Sequence, residues 1–453
     1  MGKDQNKLRG KSLPGRTAVR AVCAIALLFV FSSCATTRSH FSRLDSDVSQ
    51  HRFVEAIDHL ERNRDRLYSN RDTILYYLDR GMLSHWARMH GESIRLLTRA
   101  EEEIEAAFTV SVTQVMATFL INDTLRDYPG EDFEDIYINI FNALNFFHMG
   151  MLESAMVEIR RMNLKLMHLA TKYSVMMSEL QQRAMQEDFG HVPFDPSAPV
   201  NFSDSALARY LSMLFYRAAG MEDDVRIASE WLRVAFANAP AVYNFPIPST
   251  IVYELYVPRG VARLNVLAFS GLAPIKESST MRIPLPGMRW ARIDLPHMVS
   301  RRSEVASIYL VHSDGQRIRL ELLEDIEAVA METFRARRDL IYLKTVMRAI
   351  TKAAGSVALG VAANEASGDT ALVLGVASIL AQVFAETSER ADLRTSRFFP
   401  GRAYVTGINL EPGVHSFDVV FYNRAGRRVA IESFHNFVVR ENALNLVEAF
   451  HLN

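Results

Sequence analysis

Apolar residues recur three and four apart over residues 53–239, and this helical period stops at Pro240. Short β-branched and aromatic runs follow, bounded by proline, glycine and serine: IVYELYVP, ARLNVLAF, MRIPLP and ASIYLVHS, then RAYVTGINL, HSFDVVFYN and RRVAIESFHNFVV. A chain whose period switches in this way is expected to segregate its helices from its strands. The expected fold is α+β, with an all-helical domain over 51–240 and a small β-rich, sandwich-like module over 241–321 and 395–453. A helical insertion over 322–394 interrupts that module. His312-Ser313-Asp314-Gly315-Gln316 and Asn423-Arg424-Ala425-Gly426 have hairpin-turn chemistry. Lys plus Arg (51) nearly balances Asp plus Glu (52), so no basic stripe argues for a nucleic-acid partner.

Within the helical half a helix–glycine–helix unit recurs imperfectly, in SHWARMHGESIRLLTRAEEEIE, NFFHMGMLESAMVEIRRMNLK and FYRAAGMEDDVRIASEWLRVA. In each, an aromatic-bearing helix is expected to stop at a glycine (Gly91, Gly150, Gly220) in a left-handed cap. The arrangement resembles the tetratricopeptide repeat, a helix pair with a small residue at the crossing. The glycines stand 59 and 70 residues apart, about twice the repeat period of roughly 34. The reading is therefore a degenerate solenoid, with a non-repetitive bundle as its alternative. Prolines and Gly190 within 188–203 mark a loop inside this half.

The insertion divides in two. Its first part, LEDIEAVAMETFRARRDLIYLKTVMRAI, is charged and amphipathic, and its second is rich in small residues. Ala354, Ala358, Ala362 and Ala366 form one ridge, and Ala377, Ala381 and Ala385 another, separated by Ser367-Gly368-Asp369. A tight helical hairpin over 353–385 is expected, packed on the β module or used in a homo-oligomer contact, with membrane insertion as its alternative.

The first twenty residues carry Lys3, Lys7, Arg9, Lys11, Arg16 and Arg20 against Asp4 alone. Residues 21–31 form an apolar run that as a helix covers ~16 Å, about half of a bilayer core, and suits a secretory segment rather than a span. Phe31-Ser32-Ser33-Cys34-Ala35 then resembles the lipobox of bacterial lipoproteins, with phenylalanine where leucine is usual. The resemblance implies a signal peptide over 1–33, diacylglycerol and a fatty acid on Cys34, and a flexible tether over 34–50. Cys23 lies within the segment that would be removed, which leaves no disulfide and no other thiol. The remainder would hold 45 bases against 51 acids, so the lipid and not a basic patch must do the anchoring.

No nucleophile elbow, zinc-helix pattern, phosphate loop or dinucleotide-binding glycine pattern occurs. His85, His90, His148 and His168 show no ligand spacing, so no metal is expected. The Glu131, Asp132, Glu134 and Asp135 cluster suits the first turn of a helix, where the dipole favours negative charge. Glu101-Glu102-Glu103 is expected on a solvated helix face.

PGEDFEDIYINIFNALNFFHMGMLESAMVEIRRM resembles a signature of bacterial envelope lipoproteins with repeat-like helical N-terminal halves, a family of unassigned function. The matching positions include Gly130, Glu131, Glu134, Asn145, Gly150, Glu153, Ala155, Val157, Glu158, Arg160 and Arg161. Ala273-Pro274-Ile275-Lys276 and Ala391-Asp392-Leu393-Arg394 agree with further short segments. The resemblance implies an extracytoplasmic lipoprotein and transfers no catalytic residue. Glu158, Arg160, Arg161, Asp392 and Arg394 are expected in ion pairs that fix the docking of the β module. The expected role is a non-enzymatic scaffold without cofactor, binding envelope proteins or peptides through its helical half. The rival is an enzyme of envelope glycans or lipids that uses Glu131 and Glu134.

Overall fold

Helices fill the N-terminal half and sheets the C-terminal half, so the chain is α+β. The computed structural model describes residues 37–113, 123–169, 178, 182, 202, 204–285, 289–365 and 390–453. The cationic N-terminal segment, Cys34, nearly all of the 188–203 loop and the second arm of the small-residue hairpin lie outside these residues, as do the side chains of Ala354, Ala358 and Ala362.

Residues expected in the tether instead form helix α1 (Thr37–Ser49). Phe41, Leu44 and Val48, spaced three and four apart, are its buried apolar side chains and give it an amphipathic face. Next come α2 (Phe53–Arg62), the short α3 (Arg64–Leu67), and three helix pairs. These are α4 (Thr73–Trp86) with α5 (His90–Thr113), α6 (Asp132–His148) with α7 (Leu152–Leu169), and α8 (Ala206–Ala218) with α9 (Glu222–Asn238).

The turns inside the pairs share one hydrogen-bond pattern. Gly150 and Gly220 adopt positive φ, and the next amide reaches back five residues, Met151 to Phe146 O and Met221 to Tyr216 O. In the first pair the corresponding residue is Arg88, at φ 60°, with the Met89 amide on Ser84 O, whereas Gly91 already lies in the first turn of α5. The expected cap at Gly91 is thus three residues too late. Arg88 takes the left-handed position while its guanidinium bonds Glu432 and the Glu448 carbonyl.

Two four-stranded sheets follow. One has the order β10-β1-β7-β6 (Asn445–His451, Ala262–Leu272, Pro400–Leu410, Glu321–Asp325), with β10 and β1 parallel. The other has the order β5-β4-β8-β9 (Arg317–Arg319, Val305–His312, Gly413–Asn423, Arg428–Val439). Leu264, Val266 and Ala268 of β1 and Val447 and Ala449 of β10 share a core with Ile308 and Leu310 of β4 and Val419 and Phe421 of β8. The alternate residues of β1 and β10 face the helices. There Trp86, Phe141, Phe269 and Phe450 pack ring to ring, and the Trp86 indole donates to the Phe398 carbonyl at 2.9 Å. Coverage of both faces explains why β1 is buried almost throughout and why its sequence does not alternate.

A separate ribbon of β2 (Ile275–Leu285) and β3 (Arg289–Val299) packs through Ile293 and Leu295 on Val346 and Ala349 of helix α10 (Ile326–Glu365). The insertion therefore begins at 326 rather than 322. Residues 322–325 belong to β6, whose ladder to β7 holds them in the sheet. Helix α10 runs unbroken past Ala353, so the two expected parts of the insertion are one helix as far as Glu365. IVYELYVP is not a strand either: Ser249–Glu254 is a 3-10 helix that turns Glu254 inward to Arg263 and Asn265. Both expected hairpin turns are present, between β4 and β5 and between β8 and β9. Among the described residues no helix is long and apolar enough to cross a membrane.

Candidate functional site

Gly130, Glu131 and Glu134 gather at the N-terminus of α6. Gly130 has φ +76°, and a Cβ there would lie 2.8 Å from Ile104 Cγ1, so both backbone and packing require glycine. Glu131 is the N-cap residue, and its amide donates to Glu134 Oε2 at 2.8 Å in a capping box. This turn is not solvated: Glu131 and Glu134 are both buried. Lys276 of β2 donates to Glu131, and Arg337 of α10 lies 3.2 Å from the same oxygen. Glu134 accepts from the Tyr128 hydroxyl, the Ser396 amide at 2.6 Å and the Thr395 hydroxyl at 3.2 Å. Burial, with the charge of Glu131 beside it, pushes the Glu134 carboxyl up to about 7 against those hydrogen bonds.

Segment 392–397 is seated on the helical half by the same kind of contact. Asp79 accepts from the Ser396 hydroxyl (2.7 Å), the Arg397 amide (2.8 Å) and the Tyr68 hydroxyl (2.9 Å). Burial raises its carboxyl to about 6. Arg394 donates to Asp392 at 2.7 Å, to Asp72 at 3.1 Å and to the carbonyls of Arg126 and Asp123.

Two further acids reach the opposite way, from strands into the helices. Glu324 of β6 accepts from the hydroxyls of Tyr137, Ser205 and Tyr243 and from the Leu207 amide. Glu448 of β10 lies between His85 Nε2 at 2.7 Å and His148 Nε2 at 3.0 Å. Burial alone would raise the Glu448 carboxyl, but the charge of His85 and the bonds from both imidazoles hold it well below the usual carboxylate range. His85 and His90 share Asn145 Oδ1 at 2.8 Å each, and His90 stacks on His148 with ring centroids 4.6 Å apart. Glu254 completes the set, bonding Arg263 of β1 and Arg217 of α8.

Six buried carboxylates thus join helical residues to β residues or to the segment entering β7. Four of them accept from tyrosine hydroxyls or imidazoles. Burial raises the phenols of Tyr68, Tyr128, Tyr137 and Tyr243 well above their ordinary value, so these remain neutral donors. A hydroxyl donor satisfies a buried carboxylate without bringing a second charge out of water.

The α7 residues behave differently. Glu158 is buried and accepts from Asn139 at 2.7 Å and Arg161 at 3.1 Å, both within the helical half. Glu101, expected on a solvated face, is buried and pairs with Arg161 and Lys165 at 2.6 Å each. Asn139 of α6 and Arg161 and Lys165 of α7 reach Glu101, while Glu102 and Glu103 stay near solvent. Arg160 is exposed and enters none of these networks, and Gly150 serves only its turn. Among the described residues no group of His, Cys, Asp and Glu is arranged to hold a metal.

Asp79, Glu324 and Glu448 carry no motif that marks them in the sequence, and nothing local joins His85 and His148 to Glu448. Glu448 alone has a local sign, a lone acid in the apolar run NLVEAFH. Comparison of the chain with protein-family models, with curated proteins and with solved structures finds no match.

Proposed function

We propose that this chain is a bacterial envelope lipoprotein that acts as a non-catalytic scaffold. Diacylglycerol and a fatty acid on Cys34 hold it at a membrane, with the folded part on the periplasmic side. The helix pairs are read as a tetratricopeptide-like array and the facing sheets as a β-sandwich-like module. The observation that carries the scaffold reading is the buried seam of six carboxylates, which commits these acids to fixing one half on the other. Glu131 and Glu134, the acids that a glycan- or lipid-processing enzyme would use, belong to that seam and are held by Lys276, Tyr128 and Ser396.

A partner surface is supported on α7. Val157, Leu164 and Met167 are 48%, 57% and 73% exposed, and their spacing of seven and three places them with Arg160 along one helix face. Envelope proteins or peptides are the proposed partners. Changing Cys34 to serine should abolish fatty-acid labelling and release the protein from membranes; a wild type without lipid contradicts the anchor. Leu164→Arg should remove crosslinked envelope partners at an unchanged urea midpoint, since exposed substitutions usually shift stability by under about 0.5 kcal/mol. Undiminished crosslinking would place the contact elsewhere.

A further inference from the structure

A cavity of about 690 Å³ opens between the start of α4, the middle of α5, the 123–131 loop, β3 and α10. Helix α10 lines it with a single face, since Arg337, Ile341, Lys344 and Arg348 recur at intervals of four, three and four. Lys344 and Arg348 are 7% and 1% exposed. A buried cation ordinarily meets a carboxylate at hydrogen-bond distance. Lys344 does not: its nearest acid among the described residues, Asp123, is 3.9 Å away, and no described residue accepts a hydrogen bond from its ammonium. Arg348 stands 3.8 Å from the other oxygen of Asp123.

Among the described residues, Arg126, Lys276, Arg337, Lys344 and Arg348 line this part of the wall together with Asp123 and Glu131, and Glu131 is held by Lys276 and Arg337. The acids nearer the rim have partners of their own: Glu103 with Arg99 at 2.8 Å and Asp392 with Arg394 at 2.7 Å. Asp294 bonds the Thr280 hydroxyl at 2.6 Å, and Asp127 is exposed. Burial, with Arg126, Arg348 and Arg337 nearby, lowers the Lys344 ammonium from its ordinary value against the opposing charge of Asp123. Ile104, Phe108 and Ile341 give the cavity apolar wall as well, and its volume exceeds what a bare oxyanion fills.

We propose that this cavity binds an organic phosphate, with its dianionic group between Lys344 and Arg348 and its remainder against the apolar wall. The site borders the seam at Glu131 and Lys276, is separate from the α7 surface, and does not depend on the scaffold reading. A phosphate oxygen at Lys344 would supply the missing acceptor, and guanidinium groups suit the remaining oxygens. The phosphate could belong to a soluble ester or to a lipid headgroup, and the two are separated by titration.

The full chain in a neutral detergent is titrated calorimetrically with inorganic phosphate, phenyl phosphate and dihexanoyl phosphatidic acid, at ionic strength matched with chloride. Saturable binding of at least one is expected, weakened at least tenfold by Lys344→Met and tightened several-fold by Asp123→Asn. Tighter binding of phenyl phosphate assigns a soluble ester, and tighter binding of the phosphatidic acid assigns a lipid. Thermal melting of the unliganded variant keeps the test independent of folding. Lys344→Met should melt no lower than the wild type, because it removes an unmatched buried charge. A lower melting temperature would make Lys344 a structural counter-ion of Asp123 and overturn the proposal. Absent saturation with all three probes, or equal binding by wild type and Lys344→Met, would overturn it as well.

Discussion

Glu448 occupies a strand whose other residues are apolar or small, apart from the asparagine and histidine at its ends, and its side chain has no exposed surface. Removing its carboxylate leaves the buried His85 and the partly buried His148 without their shared acceptor. Glu448→Ala should therefore cost about 3–5 kcal/mol in unfolding free energy, as for other broken buried pairs. A urea-unfolding loss below about 1 kcal/mol would show that the imidazoles find other partners. Much of α6 is legible from residues alone. The Glu131–Glu134 capping box is a four-residue pattern, and Gly130 precedes it as a turn residue should. The reach of Glu134 to Ser396, 262 positions away, is encoded by nothing local. The same holds for Glu448 and His85, which come together only after β10 pairs in parallel with β1.

The elements follow their sequence signals where one period governs and depart where tertiary contact intervenes. Gly150 and Gly220 end their helices as expected, whereas Arg88 replaces Gly91 because bonds to Glu432 and Glu448 compensate its left-handed backbone. IVYELYVP has strand composition, but Arg263 and Asn265 draw Glu254 inward and the segment coils into a 3-10 helix. At the start of α6 the element depends on one small residue. Gly130→Ala combines a strained positive φ with a Cβ overlapping Ile104, and should destabilise by about 2–4 kcal/mol. Gly150→Ala has the same backbone strain and no neighbour within 4 Å, so its cost should be about 1 kcal/mol. Equal losses for the two substitutions, measured by thermal melting, would remove the packing part of this explanation.

For the whole molecule, the seam makes pH dependence a sum of opposed trends. Glu134 and Asp79 have folded pKa values of about 7 and about 6, above their ordinary 4.5 and 3.8. Their contribution is fully present at low pH and is lost as pH rises through the folded values. His90 and His51 are lowered by burial to about 4 from 6.5, so their contribution is present above 6.5 and lost as pH falls towards 4. The trends offset one another between pH 4.5 and 6.5. Glu134→Gln removes one of them, and its urea midpoint should fall more steeply on acidification from pH 7 to 4.5 than that of the wild type. Parallel curves would mean that Glu134 does not titrate in this range.

The central claim is that helices α4–α9 and strands β1–β10 are one cooperative body, joined by buried carboxylates rather than by a linker. Hydrogen exchange of the full chain across increasing denaturant, read by mass spectrometry, tests this most directly. Core peptides from α6 (Asp132–His148) and from β1 (Ala262–Leu272) should converge on the same opening free energy and the same denaturant dependence. Exchange of α6 at markedly lower denaturant, while β1 stays protected, would contradict the claim and make the two halves separate folding units.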